Sequence, residues 1–595
     1  MTAHAPAEAA KEKPEASDGP ITHRQIMAII TGLMLGMFLA ALDQTVVSTA
    51  IRRIGDDLHG LSVQAWVTTA FLITATITTP LYGKLSDIYG RKPFYLLAIT
   101  IFITGSALCG LATNMYMLAA FRAFQGLGAG GLFSLALAIM ADILSPQQRP
   151  KYMGYFMAVF ATSSVLGPLV GGFLSGQNSI LGVTGWRWIF YVNVPIGLAA
   201  LAVVQRRLTL PPRRNQAKID WWGTLAIVVT VVPLLLVAER GRDWGWGSPA
   251  SLVCYLLSAA GLVGFVLAER RMGDAALIPP RMFRERMFSL GSGISFISGI
   301  GMFAAFAVLP LYLQIVKGAS PTKSGLLMLP LVLGLIIGSM TAGRITAATG
   351  RYKIFPVIGN TCMIAALALL STISAGTADL WTNLFMLLFG VGIGLGMQSV
   401  QLAMQNAVAP RDIGVATSSG TFFRQMGGTL GTAVFLSILF SAAPTKISHA
   451  YADAAATPAF RAAAAAHPDQ IALVRGGGSL NDTSFLRKIS DAIAHPFLSG
   501  FASAMDIVFL VAAAVSVLGL ICAVAIKEIP LRTLSGIEAS RAEASAAEAE
   551  AEAAAVAVAV AVAGAGTGTG TGAGTATGGR PEVPRSEVTE VTGAI

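Results

Sequence analysis

The sequence predicts an all-α polytopic membrane protein: fourteen transmembrane helices, arranged as two six-helix pseudo-repeat bundles with a two-helix central insert. Three observations carry that expectation. The 595 residues are 54% hydrophobic and only 12% charged, whereas a soluble domain carries roughly 25% charged residues. Apolar residues recur in runs near the ~20 residues that a spanning helix needs. The chain also contains a faint copy of itself. A water-soluble enzyme of this length would need far more polar surface.

The runs lie at 25–51, 62–82, 93–112, 115–141, 152–175, 185–205, 221–239, 250–268, 288–315, 321–343, 353–374, 381–405, 412–442 and 501–526. Residues 1–24 are polar and Pro/Ala-rich, lack a signal-peptide pattern and are expected to be a disordered cytoplasmic N-terminus. The expected organisation is an N-terminal bundle at 25–208, an insert at 219–270 and a C-terminal bundle at 285–530. That second bundle includes a loop at 443–500 outside the cell, and 531–595 form a low-complexity cytoplasmic tail.

Basic residues cluster after even-numbered runs, at Lys84, Arg91, Lys92, Arg149, Lys151 and the arginine-rich stretches within 206–218, 270–286 and 344–353. Odd-numbered loops hold few: Arg52, Arg53, Arg240, Arg242, Lys317 and Lys323. The positive-inside rule then places both termini in the cytoplasm and the protein in the cell membrane. The net charge of +10 therefore reads as a topology signal, and no nucleic-acid partner is expected.

Chemical motifs are missing. Cys109, Cys254, Cys362 and Cys522 form no CxxC pair, and the six histidines sit in tails, loops or near span ends. No HExxH, GxxxxGK[ST] or GxSxG element occurs. The expectation is a non-enzyme with no metal and no cofactor, powered by an ion gradient rather than by ATP.

The internal copy aligns GKLSDIYGR at 83–91 with GRITAATGR at 343–351, an offset of 260 that also pairs Gly154 with Gly414, Gly167 with Gly427 and Gly171 with Gly431. An offset of 264 pairs Gly126, Gly128 and Gly130 with Gly390, Gly392 and Gly394, and Pro146 with Pro410. Runs 1–6 thus match runs 9–14, leaving runs 7 and 8 as the insert. Two related halves around a midplane cavity form a transporter architecture. The copies differ where Asp87 becomes Ala347 and Pro168 becomes Gly428.

GKLSDIYGRK at 83–92 resembles the loop 2–3 signature of the major facilitator superfamily, and FRAFQGLGAGG at 121–131 its span 4 signature. SVLGPLVGGFL at 164–174 resembles the span 5 motif of antiporters, with Ser163 where a first glycine is usual. LDQTVVSTAI at 42–51, WRWIFYVNVPIG at 186–197, LPLYLQ at 309–314 and SPTKSGLLMLP at 320–330 are similar to the fourteen-helix drug–proton antiporter branch. The resemblance covers about residues 25–530. It implies a monomeric multidrug efflux transporter of the kind tied to antibiotic resistance. Such a protein exchanges protons for amphiphilic small molecules by alternating access. An exporter of an endogenous metabolite, pigment or lipid is the alternative, and a proton-coupled importer is a more distant one. The resemblance assigns a conformational latch to Gly83, Asp87, Gly90, Arg91 and Lys92, and an antiporter motif to Gly167, Pro168, Gly171 and Gly172. It assigns proton transfer to Arg122, and coupling or substrate recognition to Asp43.

The residues support physical readings of their own. Glycines turn the chain tightly at 83–92, and Asp87 can pair with Arg91 or sit at a helix N-terminus; fixing topology alone would require neither Asp87 nor Gly83. Gly167, Gly171 and Gly172 leave a smooth helix face, and Pro168 permits a bend, which suits sliding between the halves or generic packing. Charges within a membrane are costly and mark function by default. Asp43 lies eight residues from the outer end of its run and Arg122 seven from the outer start of its own, depths of roughly 12 and 10 Å. A pair is therefore feasible, with Gln125 one turn away to orient the arginine. Burial disfavours a charged carboxylate and a guanidinium favours it, so a changing distance would bind and release a proton; a static pair pinning two helices is the simpler alternative. Arg424 breaks run 13, where it either lines the substrate cavity or bonds backbone carbonyls or snorkels. Relatives that export divalent organic cations carry extra carboxylates in runs 10 and 13, which run 10 here lacks, leaving neutral or anionic amphiphiles open. Gln398, Gln401 and Gln405 share a helix face, either lining the cavity or bonding between helices.

Overall fold

The computed structural model describes residues 23–59, 65–208, 219–471, 486 and 489–566. Helices α1 (His23–Asp57) and α2 (Ala65–Tyr89) open the chain; Gly90, at φ +98°, then turns it into α3 (Arg91–Gly110). Only glycine holds that backbone angle without strain. Asn114 caps α4 (Met115–Ile143) by accepting the Met117 N–H at 2.8 Å. Next come α5 (Arg149–Gly176), a two-stranded hairpin, and the short α6 (Trp188–Tyr191) leading into α7 (Asn193–Arg207). Asp220 caps α8 (Trp221–Trp244), and Ser248 caps α9 (Pro249–Met272).

The second series begins with α10 (Arg286–Leu311), which runs on as a π-turn to Val316. It continues through α11 (Pro321–Leu327), α12 (Leu329–Thr349), α13 (Ile354–Leu370), α14 (Asp379–Ala407) and α15 (Ile413–Ala455). The last elements are α16 (Pro458–Ala466), α17 (Asp491–Ala525) and α18 (Gly536–Gly566).

Eleven helical stretches among the described residues are long and apolar enough to cross a membrane, and the chain is a multi-pass membrane protein. The remaining long candidates fall short for local reasons. α2 carries six threonines and Pro80, and α13 has only 17 residues. On α9, Leu252, Leu256, Val263 and Leu267 point outward at helical spacing, a face suited to lipid.

Within each series glycines set the closeness of packing. A Cβ on Gly128 would lie 2.5 Å from the Ala98 carbonyl, so α4 meets α3 backbone to backbone, and Gly392 of α14 plays the same part against α13. α2 packs on α15, and α5 on α11 and α12; these are the seams along which the first five helices meet the second series. α8 packs on α9 and touches both α2 and α15.

Two sequence expectations need correction. The 443–500 stretch is not simply a loop: α15 continues to Ala455, α16 follows, and α17 starts at Asp491. The segment turns polar after residue 442, which ends a membrane run without ending a helix. The low-complexity tail likewise holds a helix, α18, because its Ala/Glu stretch has high helix propensity. Residues 1–22, 209–218 and 567–595, the linker charges Arg213, Arg214 and Lys218 included, lie outside the described residues.

Candidate functional site

Asp43 sits midway along α1 at 0% exposure, surrounded by donors from two other helices. Arg122 of α4 donates to its Oδ2. Gln125 Nε2, one turn further, donates to Oδ1 at 3.0 Å, and Asn193 Nδ2 of α7 donates to the same oxygen at 2.8 Å. Asn193 also donates to Ser106 Oγ of α3 at 3.0 Å, whose hydroxyl donates to the Phe190 carbonyl at 2.9 Å. Arg122 donates in addition to Gln125 Oε1 (2.8 Å) and to the Val67 carbonyl (3.4 Å), and its guanidinium lies 4.0 Å from the Phe71 ring centroid. Both Asp43 oxygens are satisfied, so the dry pair meets the condition under which buried ions persist. Sequence reasoning identified Asp43, Arg122 and Gln125 but missed Asn193 and Ser106. The signal for Asn193 was its position as a polar residue inside the apolar run 185–205.

At the end of the bundle that carries the 83–92 turn, a second network joins the two series. Arg91 pairs with Asp87 at 2.5 Å and with Asp142 at 2.8 Å, and donates to Ser86 Oγ at 2.6 Å. Asp87 Oδ2 accepts the Val415 backbone N–H at 3.0 Å, placing its charge on the N-terminal turn of α15, where the helix dipole favours it. A side chain on Gly83 would overlap Ser418 and approach the Gly414 carbonyl to 3.0 Å. Gly83 therefore permits the contact of α2 with α15. Arg149 adds a second bond across the seam, donating to Gln405 Oε1 at 2.8 Å, while Gln405 Nε2 donates to Thr417 Oγ1 at 2.9 Å. Lys92 takes no part; its ammonium donates to the Gln205 carbonyl at 2.8 Å, in the last turn of α7. Sequence reasoning did not single out Asp142, and it read Arg149 as a topology charge.

The antiporter motif divides between two neighbours. Cβ atoms on Gly167 and Gly171 would overlap Thr45 and Thr49 of α1, so those glycines serve packing inside the first series rather than sliding between the series. Gly172 is exposed, and Pro168 alone faces the other series, against Gly325 of α11. Gln398, Gln401 and Gln405 do line one small cavity, together with Met140, Arg149 and Met153. Gln405 and Gln401 nevertheless bond to α15, Gln401 more weakly through the Thr417 carbonyl at 3.4 Å. Arg424 lines a separate cavity within the second series. Among the described residues no cluster of His, Cys, Asp and Glu has the makings of a metal site.

A buried ion pair inside membrane-crossing helices, beside two helical series joined by a polar seam, describes a membrane transport protein. Residues 33–432 match the profile of the Major Facilitator Superfamily, and the chain belongs to that superfamily, whose members are transporters rather than enzymes. An uncharacterised MFS-type transporter of Mycobacterium tuberculosis is 36% identical over 505 residues, covering 84% of this chain and 70% of the relative. Multidrug resistance protein 3 of Bacillus subtilis is 34% identical over 486 residues, covering 81% of this chain and 92% of the relative. Among solved structures, the proton:xylose symporter XylE aligns with a TM-score of 0.53 at 15% identity, over 87% of this chain and 99% of its own. The human organic anion transporter MFSD10 aligns with a TM-score of 0.53 at 15% identity, over 84% and 99%. These two likenesses concern the fold.

Proposed function

We propose that the protein exports amphiphilic small molecules from the cytoplasm across the cell membrane, driven by inward movement of protons. In this reading the spans number fourteen, with α2, α5 and α13 joining the eleven that qualify on apolarity. Runs 1–6 and 9–14 form the moving halves, α8 and α9 the insert, and both termini are cytoplasmic. The named multidrug relatives support export. One copy of the chain holds both halves, so a monomer suffices, and the proton gradient takes the place of a cofactor.

The observation that carries coupling is the fully bonded Asp43–Arg122 pair. In this reading the Asp87–Val415 and Arg149–Gln405 bonds close the cytoplasmic end, and protons reach the pair from outside. A proton arriving on Asp43 removes the negative charge that holds Arg122, Gln125 and Asn193 in place. Their donors are released, α1 and α4 lose a tie, and the seam opens toward the cytoplasm. Loss of the proton there and reformation of the pair reset the cycle. The substrate travels the opposite way, so one gradient powers export.

Asp43→Asn keeps the shape and removes the charge. It is expected to reach the membrane and to abolish pH-driven transport in inverted vesicles. Full transport by this variant under an imposed pH gradient would overturn the coupling role.

A further inference from the structure

Arg424, half-buried, differs from the buried arginines of the protein. Arg91, Arg122 and Arg149 each use several donors on carboxylates, amides or carbonyls. Arg424 makes no hydrogen bond or ion pair among the described residues. It lies eleven residues into α15, counted from Ile413, or roughly 16 Å at the helical rise, which places it deep in the bilayer. The next residue, Gln425, accepts a hydrogen bond from Thr79 of α2 at 3.3 Å, so Arg424 stands one position from the seam between the halves.

Its side chain borders a cavity lined by Ser295 and Ser298 of α10, Asn360 and Met363 of α13 and Met397 of α14, with no Asp or Glu among the described lining residues. Asn360 is 3% exposed; its amide nitrogen donates to the Pro356 carbonyl at 2.8 Å, while its Oδ1 has no partner. The cavity thus combines a fork of unused guanidinium donors, one unused amide acceptor, two hydroxyls and polarisable methionine walls.

Each feature selects. An unpaired guanidinium in a low-dielectric site favours an oxyanion, to which it bonds with two parallel N–H donors, and repels a cation. The Asn360 carbonyl accepts from a hydroxyl or amide N–H beside that oxyanion. Met302, Met363 and Met397 are unbranched and turn to fit irregular apolar bodies. The space beside them is small in this conformation, about 20 Å³, so it admits the leading atoms of a head group and the methionines must swing to admit the rest. We infer that Arg424 and Asn360 form a head-group subsite for amphiphilic acids, molecules with one carboxylate or sulfonate on an apolar body. The inference rests on the export reading and names the substrate class of that transport path.

The test uses three probes with one body: pyrenebutanoate, pyrenebutanol and a pyrenebutyl-trimethylammonium salt. Binding to the purified full-length protein in detergent is read by energy transfer from tryptophan. The native protein should bind the acid about ten- to a hundredfold tighter than the alcohol, the span commanded by a charge-assisted hydrogen bond, and the ammonium salt most weakly. Arg424→Gln should make acid and alcohol binding equal. Arg424→Lys, which keeps the charge and loses the fork, should lose part of the acid preference; it serves if the glutamine variant does not fold. Equal binding of acid and alcohol by the native protein, or an unchanged preference in either variant, overturns the subsite. Binding in detergent needs no gradient, so the two readings fail separately. Acid preference without pH-driven transport would sink export and leave the subsite, whereas pH-driven transport without acid preference would do the reverse.

Discussion

Asp43 shows how much one buried charge demands of its surroundings. Its two oxygens draw donors from α4 and α7, and the arginine that neutralises it draws on Gln125, the Val67 carbonyl and the Phe71 ring. Removing one member of a buried pair leaves the other charge without compensation, a loss of about 3–5 kcal/mol. Asp43→Ala should therefore lower the thermal midpoint in detergent sharply, and adding Arg122→Gln should recover much of it, because two neutral groups need no counter-charge. Asn193→Ala removes a single donor and should cost about 1–3 kcal/mol, leaving Asp43 with Gln125 and Arg122. Equal midpoints for Asp43→Ala and the double variant would show that the pair is not the energetic unit described. Asp43 and Arg122 were legible in the sequence because ionised groups are rare inside apolar runs. Asn193 and Ser106 were not, since a neutral polar side chain in a span finds a backbone partner on its own helix as easily as a distant carboxylate.

Among the elements, α2 and α15 carry the seam. Asp87 lies on the N-terminal turn of α15, an arrangement worth about 0.3–2 kcal/mol, and Gly83 leaves the space that Ser418 fills. Gly83→Val would push the helices apart at that point. In a variant lacking its four cysteines and carrying Gln398→Cys, the added Gly83→Val should speed thiol labelling from the aqueous side. Unchanged labelling would mean that the seam closes without the α2–α15 contact. The existence of most helices was legible from hydropathy, but hydropathy measures lipid compatibility rather than helicity. For that reason the polar continuation of α15 through Pro444 to Ala455, and the Ala/Glu helix α18, escaped the reading. The role of the antiporter glycines stayed open for a related reason. A smooth face in sequence does not say which neighbour uses it, and here Gly167 and Gly171 receive Thr45 and Thr49 of α1.

At the scale of the whole molecule the two halves close the same end by different means. The first half supplies Asp87, Arg91 and Asp142; the second has Ala347 at the aligned position and leaves Arg351 exposed. The chain after α17 compensates. Glu528 accepts the Tyr352 N–H at 2.9 Å, and the Tyr352 hydroxyl accepts the Ile529 N–H at 3.0 Å. Burial raises the Tyr352 pKa above its usual value, so that hydroxyl stays neutral. Asn406 of α14 donates to the Pro530 carbonyl and accepts the Arg532 N–H, both at 3.1 Å. Ser535 and Gly536 are then buried, and a Cβ on Gly536 would stand 3.0 Å from Asp142 Oδ1 in the first half. The segment from Glu528 to Gly536 thus runs from the second half to the aspartate that holds Arg91. Deleting residues 528–595 in the Gln398→Cys reporter should raise the labelling rate, and the amide of Tyr352 should exchange hydrogen faster. Faster exchange at Tyr352 with unchanged labelling would confine the strap to the second half and remove it from the seam.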